Sequence, residues 1–248
     1  AYVKDTTKDC YTSSVVFNLD DTVADTESIF GKPYEVAVKS DSDYIVLQSG
    51  DNGYTAELAK GNYKVFLKDG NDYKQIDNAD SDDNSIEIKY YSVVYNLDGG
   101  TLNGDTKFVY RKGEFVKTID NKPTKYEYVF DGWKCGESTY SNSQQITDSI
   151  DRKYELTAIW EADKIGNGEK PDGIPDKYQK KVTFKVVNGT WEDKSVNDIS
   201  YYVTLLDKEG KWNVNGTAKI NIPTGMTANY GYENGKWDVE PTEIVSGI

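Results

Sequence analysis

The stretch YSVVYNLDGGTLNG (residues 91–104), followed by EYVFDGW (127–133) and YELTAIW (154–160), decides how this chain reads. Tyr91, Val93, Tyr95 and Leu97 alternate with Ser92, Val94 and Asn96, the period-two pattern of a half-buried strand. Asp98-Gly99-Gly100 demands a turn, because glycine enters positive φ without a Cβ clash. Lys107–Tyr110 alternates again and reads as the second arm of a hairpin. Glu127–Trp133 is a third strand, with Tyr128, Phe130 and Trp133 turned inward. Tyr154–Trp160 is the last, with Tyr154, Leu156, Ala158 and Trp160 on one face. Between them, Ser141–Ile150 is polar apart from Ile146 and Ile150 at i and i+4, and reads as a loop or short helix.

These residues carry a resemblance. Val93, Tyr95, Leu97, Gly99 and Gly100, then Phe130, Gly132 and Trp133, then Leu156, Ala158 and Trp160 fall in the order of the Listeria–Bacteroides repeat, also called the internalin-type B repeat. The resemblance implies a small β-grasp-like module over residues 91–162, used as a spacer or adhesive unit in secreted, wall-attached bacterial proteins. Two local departures stand out: Glu127-Tyr128 where the family commonly has a glycine, and Cys135 just past the tryptophan.

The whole chain has 248 residues, enough for two or three small domains. Its 20 Tyr, 7 Phe and 5 Trp supply rigid burial in a chain otherwise modest in aliphatic content. Tyr, Val, Thr, Asn and Gly favour strands joined by turns. Net charge is −13, and residues 1–90 hold 18 acidic against 9 basic side chains. That balance argues against nucleic acid and anionic membrane, both of which need basic patches; it suits the solubility of an exposed surface protein. No apolar run approaches a transmembrane length, and none follows a charged leader. Ala1 reads as a trimmed start and no sorting signal is visible at the end, so the chain is expected to be a piece of something longer. Cys10 and Cys135 lie in different segments, and a bridge between them is not expected.

Val15–Asp20 reads as a strand and nearly repeats Val93–Asp98. Tyr34–Val38 and Tyr44–Leu47 follow, then Gly53–Phe66, read as strand, tight Lys60-Gly61 turn and strand. That segment resembles the G-Y-x-x-x-L-x-x-G-x-Y-x-V hairpin of prealbumin-like surface-protein sandwiches, which implies a small β-sandwich over 13–90. The E-T-x-x-P motif that accompanies Lys–Asn isopeptide bonds in some relatives of such sandwiches is absent. Residues 163–180 are rich in Gly, Pro, Asn and charge and read as a linker. Within them Asp172-Gly-Ile-Pro-Asp176 resembles the D-G-I-P-D element found between surface-protein modules, sometimes in a calcium loop. Asp172 and Asp176 are therefore the candidate metal ligands, set against the plainer reading of a stiff turn, which the non-acidic residues upstream favour. Val182 onward repeats the middle module's logic: alternation through Val186, an Asn188-Gly189-Thr190-Trp191 turn, and Gly235-Lys236-Trp237 in parallel with Gly132-Trp133. The pattern resembles a repeat of large Gram-positive surface proteins.

The expected fold is thus mainly β, in tandem small modules: a sandwich (13–90), a β-grasp-like module (91–162), a linker (163–180) and a related β module (181–248) lacking its last strand. The residues after Trp237 show no alternating run. Either that module carries an open edge able to self-associate, or Ile244-Val245 curls back to fill it.

The chain has no histidine, which removes Ser-His-Asp and Cys-His catalysis and the usual zinc sites. It has no phosphate-cradling glycine motif. The expectation is a non-enzyme without cofactors. Two readings of its role stay open. One is a stalk or partner-binding segment of a cell-surface or secreted adhesin, whose partner is a host or cell-surface protein or glycan. The other is a carbohydrate-binding accessory region of a secreted enzyme, with Tyr202, Trp212, Tyr230 and Tyr232 as candidate stacking residues. Tyr201 and Tyr202 point to opposite faces of one strand, so one of the two is exposed. Against the platform stands the ordinary use of tyrosine to cover β-sheets.

Overall fold

The computed structural model describes residues 10–40, 43–59, 61–81, 85–167, 171–237 and 243–245, and it is mainly β, in several separate sheets. The chain opens with β1 (Cys10–Leu19), β2 (Thr22–Ala24), the short helix α1 (Thr26–Phe30), β3 (Glu35–Ser40), β4 (Asp43–Val46), β5 (Gln48–Gly50) and β6 (Gly53–Ala59). Next come β7 (Gly61–Asp69), β8 (Asp72–Ser81), β9 (Ser85–Asn96), β10 (Lys107–Arg111) and β11 (Val116–Lys117). They are followed by β12 (Tyr128–Cys135), β13 (Ser138–Tyr140), β14 (Gln145–Thr147) and β15 (Tyr154–Ala162). The remaining strands are β16 (Gln179–Phe184), β17 (Gly189–Thr190), β18 (Ile199–Thr204), β19 (Thr217–Lys219), β20 (Thr227–Ala228) and β21 (Glu243–Val245). Two compact units result: one of residues 1–97, 102–121 and 133–157, the other of 98–101, 122–132 and 158–248.

In the first unit β9 is the organising strand. Ile86, Ile88 and Tyr90 are buried on one of its faces, then Tyr91, Val93 and Tyr95 on the other. Neighbouring residues of a pleated strand point to opposite sides, so the buried doublet Tyr90-Tyr91 is where the strand changes the face it buries. Its first half runs parallel to β1, ending at the pair Leu19↔Tyr90. Its second half pairs antiparallel with β10 and parallel with β15, the latter starting at Tyr154↔Val93. Between those two partners lies Ser92, fully buried. Asp20 serves it: the Ser92 amide and hydroxyl donate to the two carboxylate oxygens, at 2.8 and 2.5 Å. Asp20 reaches them from a left-handed backbone conformation, φ 53°, which Asp tolerates better than most side chains.

The first face closes a two-layer sandwich. Val15 and Phe17 of β1, Tyr54 and Leu58 of β6, and Ile86, Ile88 and Tyr90 pack with Val36 and Val38 of β3, Val65 and Leu67 of β7, and Ile29 of α1. Phe17 sits at the centre, edge-on to Tyr54 at 5.7 Å and to Phe30 at 6.3 Å. Here Gly53–Phe66 departs from the expected hairpin. β6 pairs with β1 and β5, whereas β7 pairs with β3 and β8 in the other sheet. The inward residues of the two strands close one core from opposite layers instead of pairing edge to edge. Helix α1 escaped the sequence reading, although its signals are local: the Asp25 carboxylate accepts from the Ser28 amide at 2.8 Å, and Gly31 ends the helix at φ 75°.

The second face of β9 is buried together with Val116, Trp133, Ile150 and Leu156, each almost fully enclosed. Trp133 meets Tyr95 edge-on at 4.8 Å, and its indole N–H donates to Asn142 Oδ1 at 3.2 Å. It is a core residue, as its place after Phe130 and Gly132 suggests. Residues 141–150 hold no helix; they contain β14, paired with β11, and then Ile150 in the core. Residue 90, the expected module junction, lies inside β9. Strands from both sides of it share one sheet of order β13-β12-β15-β9-β1-β6-β5. Cys135 is a free thiol; the Cys10 side chain lies outside the described residues.

The second unit explains the two Gly turns. Gly99 takes positive φ, and Gly100 lies so close beneath Trp160 that a Cβ would stand 2.4 Å from the ring. Further along, β16 and β18 pair antiparallel, with Phe184 against Tyr201, and Val203, Leu205 and Ala218 form a small core. Trp237 meets Phe184 edge-on at 5.3 Å. Ile244-Val245 does curl back: β21 pairs with β19, with Ile244 opposite Ala218, so the edge expected to be open is paired there.

Two outcomes follow for the first unit. Asp20→Asn keeps the shape but loses the charge-assisted bonds to Ser92; in denaturant unfolding it should lower stability by about 1.5–3 kcal/mol. Asp51→Asn on an exposed turn should change it by less than about 0.5 kcal/mol. Equal effects would deny Ser92–Asp20 its role. Separately, burial pushes the Tyr95 phenol up to about 12 from 10.0, against a smaller opposite pull from the Ile119 amide that donates to it. The folded chain keeps this proton where the unfolded chain releases it. The stability it confers is therefore whole below pH 10 and falls as pH rises through 12. Tyrosinate absorbance should show a late-titrating phenol that Tyr95→Phe removes.

Candidate functional site

The segment read as a linker is held by its own carboxylates. Asp163, only 4% exposed, accepts from the Asp172 and Gly173 amides at 3.0 and 2.9 Å. Asp176 Oδ1 accepts from the Lys164 and Ile165 amides at 2.9 and 3.1 Å. Asp172 accepts from the Ile174 amide and from the Gln179 side chain. Gly173, at φ 85°, lets the chain fold back so that the two ends exchange these bonds. The candidate metal ligands Asp172 and Asp176 are thus turned toward N–H groups. The positive ends of those dipoles make the oxygens poorer hosts for a cation than free carboxylates. Among the described residues, no three acidic or thiol groups converge as a metal site.

The four candidate aromatics are not brought together. Tyr202 is half-buried on β18, its amide donating to Asn167 Oδ1. Trp212 is 46% exposed and pairs with Tyr178 at 5.9 Å. Tyr230 and Tyr232 are exposed. None of the four rings pairs with another of the four. Tyr201, on the opposite face from Tyr202, packs on Phe184 and donates its hydroxyl to the Asn221 carbonyl at 2.6 Å. The two tyrosines alternate along β18, but neither is exposed as expected: both are half-buried, Tyr201 by its packing on Phe184, and no platform results.

A groove in the first unit is better constructed. It measures about 330 Å³ and is lined by Leu102, Phe108, Tyr110, Asp105 and the run Lys117–Asn121, with Gly104 at its mouth. Phe108 and Tyr110 stand at i and i+2 on one face of β10. The opposite wall is fixed by hydrogen bonds to residues 141–144. Thr118, buried, donates its amide to the Gln144 carbonyl and its hydroxyl to the Ser141 carbonyl, and accepts from the Gln144 amide. Ile119 donates to the Tyr95 hydroxyl, and Asn142 donates to the Asp120 carbonyl. Asn121 closes one end by donating to the Asn103 carbonyl at 3.2 Å. The Asp120 carboxyl is held below its ordinary range, first by the Ser143 hydroxyl and then by Lys117. The sequence reading placed Phe108 and Tyr110 on a hairpin arm and went no further. Its available signal was two aromatics two residues apart, beside turn segments rich in Asp and Asn; their meeting depends on tertiary pairing.

Comparison with known protein families, with curated proteins and with solved structures finds no match for this chain.

Asp163→Ala should leave the Asp172 and Gly173 amides without their acceptor. Hydrogen exchange at those two amides should then accelerate, with a loss of about 1–3 kcal/mol in the second unit. Calcium should leave exchange in the native chain unchanged; protection that rises with calcium would restore the metal reading.

Proposed function

We propose that this chain is a non-catalytic segment of a bacterial cell-surface or secreted adhesin-like protein, acting as stalk and partner-binding modules. The observation that carries the reading is the set of bonds among residues 163–167 and 171–179. A sequence of linker composition is tied there by three aspartates through hydrogen bonds to backbone amides, which suits a non-catalytic structural segment. The acidic balance fits a chain exposed to solvent. No helix among the described residues is long and apolar enough to cross a membrane. Self-association through the edge of β19 is no part of the reading, because β21 occupies it.

The alternative, a carbohydrate-binding accessory region of a secreted enzyme, draws support from the groove beside β10, where aromatic and polar groups meet. Surface location separates the proposal from an intracellular role. An antibody raised against the chain should label intact, unpermeabilised cells of the source organism or its culture medium. Labelling confined to permeabilised cells would overturn both readings.

A further inference from the structure

The groove beside β10 has a chemistry that narrows its ligand. Its lining joins the aromatic Phe108 and Tyr110 with the polar Asp105, Lys117, Asp120 and Asn121. Among the described residues Asp105 has no hydrogen-bond or ion-pair partner, so its carboxylate is free to accept. Asp120 commits Oδ1 to Ser143 and Lys117, leaving Oδ2 for a further donor. Asn121 gives one N–H to the Asn103 carbonyl, which leaves its second N–H and its oxygen for a ligand. The polar side chains thus present three planar acceptors, an ammonium and an amide N–H, set against the two rings.

Anionic ligands fit this poorly, since two carboxylates face one lysine. A purely apolar ligand would strand the acceptors without donors. A neutral saccharide satisfies both kinds of side chain. Its C–H faces pack on aromatic rings, while its vicinal hydroxyls donate to carboxylate and amide oxygens and accept from an ammonium. The lining is also preformed. Seven hydrogen bonds tie 118–120 to Tyr95 and to 141–144, so little ordering cost falls on binding.

We propose that the groove lined by Phe108, Tyr110, Asp105, Lys117, Asp120 and Asn121 is a binding site for a neutral oligosaccharide. It deepens the carbohydrate reading above and is independent of where the protein resides. Cell labelling can therefore succeed while this proposal fails, and the reverse.

The 248-residue chain would be titrated by NMR and calorimetry with maltotriose, xylotriose, lactose and tri-N-acetylchitotriose. At least one should bind, with shifts at the amides of 105–110 and 117–121. Phe108→Leu, which keeps apolar bulk and removes the ring, and Asp105→Ala, on an exposed turn, should each weaken binding about tenfold or more. Tyr230→Ala should leave it unchanged. Should Phe108→Leu lower the melting temperature, Asp105→Ala alone decides. The proposal is overturned if none of these sugars binds, if binding survives Asp105→Ala, or if it is lost in Tyr230→Ala instead.

Discussion

The first unit depends on one strand serving two cores. A β-strand offers its two faces in strict alternation, so burying first one face and then the other requires two consecutive inward residues and a place where partners change. Tyr90 and Tyr91 are the residues, and Ser92 marks the place. The partner strand β1 ends opposite Tyr90 and β15 begins opposite Val93. A buried amide left between them would cost about 1–3 kcal/mol. Asp20, coming off the end of β1, supplies the missing acceptor with both of its oxygens. The turn that ends one strand thereby completes the ladder of another.

Much of this was legible residue by residue. Alternation found β1, β15, β16 and β18, because each has one face in a core and one toward more polar surroundings, and it found the two halves of β9, each of which buries one face. It found the inward set Tyr154, Leu156 and Ala158, and placed Trp133 in the core. It erred where the same local pattern serves two global arrangements. Gly53–Phe66 is strand, turn, strand in either case; whether the strands pair or face each other across a core is decided by partners far along the chain. The expected junction at residue 90 falls inside β9, because composition does not reveal that one strand can run on while it changes the face it buries. The groove beside β10 was invisible because residues 117–121 acquire their conformation from 141–144. The segment 163–180 is instructive too. Aspartate and glycine mark turns and flexible segments alike, and only the hydrogen-bond partners of Asp163 and Asp176 distinguish the two.

The two Gly turns carry a closer likeness than their sequences display. Gly100 and Gly189 each follow a residue or residues at positive φ, Asp98 and Gly99 in one case and Asn188 in the other. Each is crowded: a Cβ would meet Trp160 at 2.4 Å in the first and the Thr227 carbonyl at 2.7 Å in the second. The following threonine pairs back in both, Thr101 with Thr124 and Thr190 with Thr227. Upstream of each turn an aromatic receives a tryptophan edge-on, Tyr95 from Trp133 and Phe184 from Trp237. The same physical device, a glycine that admits a close neighbour and a tryptophan clasped by a ring on the preceding strand, is used twice. The two regions share this local device and differ in the length of chain between turn and tryptophan.

Because the two cores of the first unit share β9, they cannot be lost separately. Unravelling the sandwich removes β1 from the first half of the strand, and unravelling the other core removes β10 and β15 from the second. Either event strips the remaining half of neighbours on which its own pairing leans. The unit is then one cooperative body in thermodynamic terms, and damage to either core lowers the melting point of both. This has a protective side. Partial opening, the state in which proteases find their substrates, requires surrendering both cores at once, so its population is set by their combined free energy rather than by the weaker of the two.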